Sequence, residues 1–143
     1  MDHAFDQIVA AFVAKLKEGT PVCANVYDSE TRQMTDEVQE AVNVFFDGAA
    51  PELIAIMGAP IDWKTRIVVD CFARSKTLSG AKAVGALMKR VFERLASDIT
   101  LGHQEWYIGY PSIEQDTEAQ GQRAGMMRLT YLVEHRTTNN NLE

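Results

Sequence analysis

The sequence has few of the residues from which metal sites and disulfides are built. Among 143 residues there are two cysteines, Cys23 and Cys71, and three histidines, His3, His103 and His135. The cysteines lie far apart in apolar, strand-like stretches, and no histidine has a second histidine or cysteine at ligand spacing. We therefore expect reduced thiols packed as small hydrophobic groups in a reducing compartment, with neither a metal site nor a disulfide.

Signatures of catalysis and of membrane insertion are also missing. The sequence contains no Gly-x-x-x-x-Gly-Lys-Ser/Thr phosphate loop, no Gly-x-Gly-x-x-Gly motif after a strand and no Gly-x-Ser-x-Gly nucleophile elbow. No apolar run approaches the ~18–20 residues that span a bilayer, and Asp2 and Asp6 stand where a signal peptide would be basic. His103 and Glu105 would share a strand face and could act as an acid–base pair, but a solvent-facing pair is the simpler interpretation. These absences predict a protein that is not an enzyme and holds no cofactor.

The charge balance restricts the partners. Acidic residues outnumber basic ones by 20 to 14, which gives a net charge of −6. This excess argues against a protein that wraps nucleic acid by bulk electrostatics. The hydrophobic share of 46% and the charged share of 24% are ordinary for a globular protein. We expect one domain over residues 1–143, with residues 138–143 as a frayed tail.

A long alternating stretch organises the chain. From residue 61 to residue 74 the odd positions are mostly apolar, and the even positions carry the charges. Successive side chains of a strand point to opposite faces, so this pattern predicts a long strand with one face on a core. The other face mixes charges with Val68 and Phe72. We interpret it as a possible contact surface.

Two amphipathic helices are predicted, over residues 3–18 and 80–96. In each, apolar residues recur at the i, i+3, i+4, i+7 spacing of one helix face. Asp2 is expected to cap the first helix. The apolar stripes are Phe5, Ile8, Val9, Phe12, Val13 and Leu16 in the first helix, and Val84, Leu87, Met88, Val91 and Leu95 in the second. We expect both stripes to face the core.

Shorter strands and two polar segments fill the remaining chain. Strands are expected at residues 22–27, 41–46, 53–57 and 104–110 and over the alternating residues 127–136, and Asp47-Gly48 is interpreted as a break that ends the second of them. Residues 28–39 are expected to form an exposed loop, and residues 114–123 a hairpin arm or loop. This order predicts an α+β two-layer sandwich, in which two main helices pack on a mainly antiparallel sheet of about four to five strands.

The candidate functional residues are charged side chains with aromatic and apolar neighbours. Protein interfaces favour such mixtures, with arginine and aromatic residues as anchors. The strand faces and the two polar segments supply the predicted subunit or partner contacts, which are Glu30, Arg32, Arg66, Asp70, Arg74, Glu114, Asp116, Arg123 and Arg128. From the residues alone we interpret the chain as an assembly or interaction protein.

Four segments also resemble a known family. Residues 58–66 (GAPIDWKTR) and 69–75 (VDCFARS), the preceding strand at 41–48 (AVNVFFDG) and the closing strand at 129–137 (LTYLVEHRT) are similar to minor tail and tail-terminator proteins of long-tailed bacteriophages, including prophage-encoded ones. The order of elements agrees as well, so the resemblance covers nearly the whole chain.

The resemblance implies a subunit of a ring, commonly a hexamer, that caps the tail tube, stops its polymerisation and provides the surface that joins the head. Its partners would be further copies of itself, the tail tube protein and a head–tail connector protein, in a virion tail assembled in the host cytoplasm. No membrane and no sequence-specific nucleic acid are implied, although DNA would pass through the ring. The alternatives are another head–tail joining subunit of the neck, and a stand-alone α+β domain that binds a small ligand.

Overall fold

The long alternating strand lies in the middle of the sheet. In the computed structural model, which describes residues 3–29, 39–52, 57–74, 80–98, 100–102, 105–116, 124–138 and 142, it spans Ile61–Arg74 and is β3. The other elements are α1 (Ala4–Lys17), β1 (Val26–Asp28), β2 (Glu40–Pro51), α2 (Gly80–Ala96), β4 (Tyr107–Ile108), β5 (Ser112–Asp116) and β6 (Ala124–Thr137). Antiparallel partners, β2 and β6, flank β3 along nearly its full length. The bounds predicted from the alternation are confirmed.

The predicted α+β class is confirmed. In the described part of the chain the sheet has six strands, in the order β1-β2-β3-β6-β4, and β5 pairs with the same strand as β4. All pairs are antiparallel except β1–β2. A parallel neighbour requires a longer connection than a hairpin turn, and eleven residues separate the end of β1 from the start of β2 in the sequence. The predicted loop at 28–39 falls mainly on residues 30–38, outside the described residues.

The prediction that Asp47-Gly48 ends the second strand is wrong. β2 continues to Pro51, and its register against β3 shifts between Phe46 and Gly48. One extra residue there forms a β-bulge, which glycine accommodates because its backbone φ of +151° is strained for other residues. An Asp-Gly pair suits a tight turn and a bulge alike, so the sequence did not separate them.

The predicted strand at 104–110 is also much shorter in the structure. Of the described residues 105–110, only Tyr107–Ile108 pairs with β6, and a separate strand, Ser112–Asp116, pairs with β6 beyond Pro111. Proline has no backbone N–H to give to a ladder, so it interrupts an edge strand. The start of the predicted 114–123 arm is therefore strand, and residues 117–123 lie outside the described residues.

Both helices pack on one face of the sheet. The core joins Ile8, Phe12 and Leu16 of α1 and Leu87 and Val91 of α2 to the inward residues of the strands. The predicted apolar stripes are thus core faces. The prediction that Asp2 caps α1 is wrong. His3 occupies the N-cap, and its ring accepts a hydrogen bond from the backbone N–H of Asp6.

The two cysteines are buried and free. Burial raises the pKa of the Cys71 thiol to about 12 and also raises that of Cys23. Thiols held in this protonated form are poor nucleophiles and poor metal ligands. The expectation that both cysteines pack in the core is confirmed.

Two further expectations fall largely outside the described residues. The predicted strand at 53–57 lies there except for Met57, which is an exposed turn residue. Of the tail predicted to fray, residues 139–141 and 143 are not described. The carbonyl of Leu142 accepts a hydrogen bond from the backbone N–H of Ala4, 2.7 Å between N and O, so this part of the tail contacts the start of α1.

Candidate functional site

The sheet face opposite the helices carries four of the nine predicted contact residues. We call it the open face, because the helices contact the other side of the sheet. Its side chains come from alternate positions of β2, β3 and β6. They are Phe45, Lys64, Arg66, Val68, Asp70, Phe72, Arg74, Arg128, Leu132 and Glu134.

The strongest polar contact of the open face joins β3 to β6. Arg128 donates two hydrogen bonds to the carboxylate of Asp70, at 2.8 and 3.0 Å, and its guanidinium lies 5.6 Å from the centroid of the Phe45 ring. The hydrogen bonds to Asp70 raise the pKa of Arg128, so it is charged at every physiological pH. A bidentate pair stacked on a ring fixes the orientation of an arginine.

Further ion pairs run along the same strands. Arg66 reaches back to Asp47 at the bulge, with 3.3 Å between Nε and Oδ2, and Lys64 lies 4.0 Å from Glu134. At the end of the sheet Arg136 donates two hydrogen bonds to Asp62, which lowers the pKa of that carboxyl. Exposed pairs of this kind contribute little to stability. These ion pairs instead hold the charged side chains of the strands in defined positions.

The middle of the open face is apolar. Val68 is only 2% exposed although it points away from the helices, and Phe45 and Phe72 beside it are half-buried. Arg74 lies over the Phe72 ring, 5.5 Å from its centroid. Leu132 remains 41% exposed. Apolar centres framed by charged residues are typical of protein interfaces.

The structure brings five of the nine predicted contact residues together, and it does not describe the side chains of the other four. Arg66, Asp70, Arg74 and Arg128 share the open face, and Glu114 on β5 stands opposite Arg128 in the register. Asp116 pairs through its backbone with Met126, but its side chain is not described. Glu30, Arg32 and Arg123 lie outside the described residues.

A groove that the sequence did not indicate lies at one end of the sheet. It has a volume of about 1150 Å³ and crosses the ends of β2, β3, β6 and β4. Its walls include both tryptophans, Trp63 and Trp106, together with Glu52, Glu105 and Tyr107. The sequence does not indicate the groove because its lining residues are far apart in the chain. They are brought together by the register of β6 on β3 and β4.

Buried polar contacts support the floor of this groove. The indole Nε1 of Trp63 donates to Thr137 Oγ1 at 2.9 Å, and Thr65 Oγ1 lies 2.6 Å from His135 Nε2. Phe5 of α1 packs edge-on against both the Trp63 and the His135 rings. Burial lowers the pKa of His135. The floor is therefore fixed and uncharged near neutral pH.

This buried histidine predicts a loss of stability in mild acid. The ordinary pKa of 6.5 applies to the unfolded chain, and the folded value is lower. Between the two values the unfolded chain binds more protons, so the free energy of unfolding falls as the pH falls through that window. Urea unfolding from pH 7.5 to pH 5 is expected to show this slope, and His135→Gln is expected to reduce it. An equal slope in both proteins would contradict the prediction.

The described residues offer little for metal chemistry. Within them no group of three or more His, Cys, Asp or Glu side chains is arranged to hold a metal ion. Of the candidate acid–base pair His103 and Glu105, His103 is outside the described residues and Glu105 lines the groove. Neither helix of the described chain is long and apolar enough to cross a membrane.

Comparison with known proteins finds likeness at the level of the fold. No protein-family model and no curated protein matches the sequence. Among solved structures, the sheath/tube terminator of an extracellular contractile injection system, PVC, determined by cryo-EM in its extended state, matches with a TM-score of 0.56 and 13% sequence identity. The match covers 99% of this chain and 60% of the other, so this chain spans about three-fifths of that protein's length. The chain has a fold similar to that of this sheath/tube terminator.

Proposed function

We propose that this chain is a structural subunit that forms a ring on the end of a phage-type tail tube, ends the growth of the tube and provides the surface to which the head joins. The observation that carries the proposal is the fold match over 99% of the chain to a sheath/tube terminator. The residues quoted for the resemblance to phage tail terminators belong to β2, β3 and β6, or lie next to β3, so the resemblance falls on the central strands of the sheet.

The open face suits contacts between subunits. Arg128 is held by Asp70 and by the Phe45 ring, so it loses little conformational freedom when a neighbour binds. Phe72 and Leu132, which are partly exposed around the buried Val68, supply apolar surface to bury. A ring requires a head-to-tail contact, in which the open face meets a different surface of the next copy. The proposed contacts are Arg66, Asp70, Arg74, Glu114 and Arg128, and the predicted residues Glu30, Arg32, Asp116 and Arg123 complete the set.

The partners follow from this role. They are further copies of the chain, hexameric by analogy with the resembled family, the tube protein and a head–tail connector, within a tail assembled in the host cytoplasm. The chain would act by binding and would need neither a catalytic residue nor a cofactor.

The first test is the mass of the protein in solution. Light scattering coupled to size exclusion over a concentration series is expected to show a species that approaches six copies of the 15.9 kDa chain. Replacing Arg66 and Arg128 together by glutamine is expected to shift the equilibrium to the monomer. Lys89→Gln, on the exposed side of α2, is the matched control and should leave the mass unchanged.

The second test is decisive for the role at the tube end. Tube protein encoded by the same genome is allowed to polymerise with and without this chain, and tube lengths are measured by electron microscopy. Shorter tubes, each with extra density at one end, are expected. An unchanged length distribution at excess chain would reject the proposal, whatever the mass in solution.

A further inference from the structure

Exposed apolar surface lies beside β5, on the side of the sheet that carries the helices. Ile113 stands opposite the buried Leu129 in the register, so its side chain points to the helix side, yet it is 47% exposed. Tyr110 is 89% exposed and stacks on Phe92 of α2, with 6.4 Å between the ring centroids. We call Met88, Phe92, Tyr110 and Ile113 the edge patch.

The edge patch is uncovered because the neighbouring helix packs farther inward on the sheet. α2 packs mainly on β3 and β6, and β5 lies outside both of them. Met88 and Phe92 are one helical turn apart and only partly buried. Aromatic and methionine side chains are enriched at protein interfaces. The edge patch therefore has the composition of an interface.

A second apolar feature lies in the connection between β2 and β3. Residues 53–57 read LIAIM, between strands that end at Pro51 and begin at Ile61. Residues 53–56 are outside the described residues, and Met57, the last of the run, is 88% exposed. The described residues next to the run, 51–52 and 58–60, are exposed as well. Five consecutive apolar residues at such a place favour contact with a partner.

The two apolar features belong to different ends of the sheet. Ile61, at the base of the connection, pairs with Thr137 at the end of β6, whereas β5 pairs with residues 126–130. The seven residues from Thr130 to Thr137 span about 23 Å along the strand. β6 also lies between β3 and β5. This separation favours a contact between two copies of the chain over a contact within one copy.

We propose that the edge patch of one copy binds the 53–57 segment of the next copy. The inference rests on the proposed ring, and it names the surface that the next copy presents. Lys64 of the open face is three residues from Ile61, so the open face and the segment belong to the same side of the contact. Each copy keeps one segment and one patch for different neighbours, which is the head-to-tail arrangement that closes a ring.

Cysteine cross-linking tests this contact directly, because the two native cysteines are buried. Met57→Cys and Tyr110→Cys each place a thiol where the native side chain is almost fully exposed, so neither should affect folding. The two variants are mixed in equal amounts with a short bismaleimide, and the products are identified by mass spectrometry. We expect heterodimers to dominate over both homodimers. Ala86→Cys, exposed on α2, is the matched control and should not cross-link to Met57→Cys above background.

Charge substitutions measure the contribution of the contact to assembly. Met57→Asp and Ile113→Asp are each expected to weaken association about tenfold or more, because the burial of one apolar side chain is lost. A mixture of the two variants should recover a dimer by light scattering, since one intact segment can still meet one intact patch. The mixture should not grow beyond the dimer.

Two outcomes would overturn the proposal. One is cross-linking of the mixture that is no stronger than with Ala86→Cys. The other is a predominance of Tyr110→Cys homodimers, which would identify a symmetric contact between two edge patches. Failure of the proposed function is distinguishable, because cross-linking needs no tube protein. Tubes that shorten while the mixture fails to cross-link would keep the terminator role and reject this contact.

Discussion

Replacing Arg94 by methionine is expected to lower the free energy of unfolding by about 2–3 kcal/mol. The guanidinium of Arg94, near the end of α2, donates to three backbone carbonyls at the end of α1. These are Lys15 O at 3.3 Å, Glu18 O at 2.6 Å and Thr20 O at 2.6 Å. Hydrogen bonds to a charged group contribute about 1.5–3 kcal/mol, and the negative end of a helix adds to the attraction.

Two companion variants make the Arg94 measurement specific. Lys89→Met removes a cation of the same helix whose ion pair among the described residues is with Glu93, and it should cost about 0.5 kcal/mol or less. Arg94→Lys should fall between the two, because a single ammonium cannot reach three separate carbonyls with the fork geometry of arginine. Urea unfolding with unchanged m-values is the readout. Equal losses for Arg94→Met and Lys89→Met would contradict the role assigned to Arg94.

Replacing Gly48 by valine is expected to destabilise the protein by about 2–3 kcal/mol. At a backbone φ of +151° a β-branched residue is strained, and such strain costs about 1–3 kcal/mol. A Cβ at this position would also overlap the Arg66 guanidinium and lie 3.3 Å from its Cζ. The substitution should therefore disrupt the bulge and the Arg66–Asp47 ion pair together.

The control for Gly48 lies two residues along the same strand. Ala50 is exposed in the regular part of β2, opposite Lys64, and valine is a good strand residue there. Ala50→Val should leave the thermal midpoint within a degree or two or raise it. If both variants unfold at the wild-type midpoint, the bulge does not require glycine.

The parts of the fold that depend on local pattern were predictable. The alternation over residues 61–74 gave the bounds of β3, because one buried face fixes which residues point inward. The apolar stripes of both helices likewise identified the residues that face the sheet. These patterns repeat every two or every 3.6 residues, so a short window contains enough information to define them.

Features that depend on contacts between distant segments of the chain were not predictable. Arg94 lies outside the predicted apolar stripe of the second helix, and its carbonyl partners are 74 to 79 residues away in the sequence. Asp70 and Arg128 were both singled out, but their pairing follows from the β3–β6 register, which the sequence does not state. The groove is a further case, since Ala4, Trp63 and Tyr107 line it from distant parts of the sequence.

The pairing of β3 with β6 also has a consequence for how the chain is made. Arg74 pairs with Ala124 and Ile61 with Thr137. One edge of β3 therefore has no partner until β6 has been translated. At about 5–20 residues per second, a delay of roughly 50 to 75 residues lasts roughly 3 to 15 seconds. Throughout that interval a 14-residue strand with an apolar side has an unpaired edge, which is the template on which chains aggregate. The nascent chain on the ribosome is therefore more vulnerable to aggregation than the folded protein, and slower initiation, which leaves fewer such edges exposed at once, should improve the yield of soluble protein.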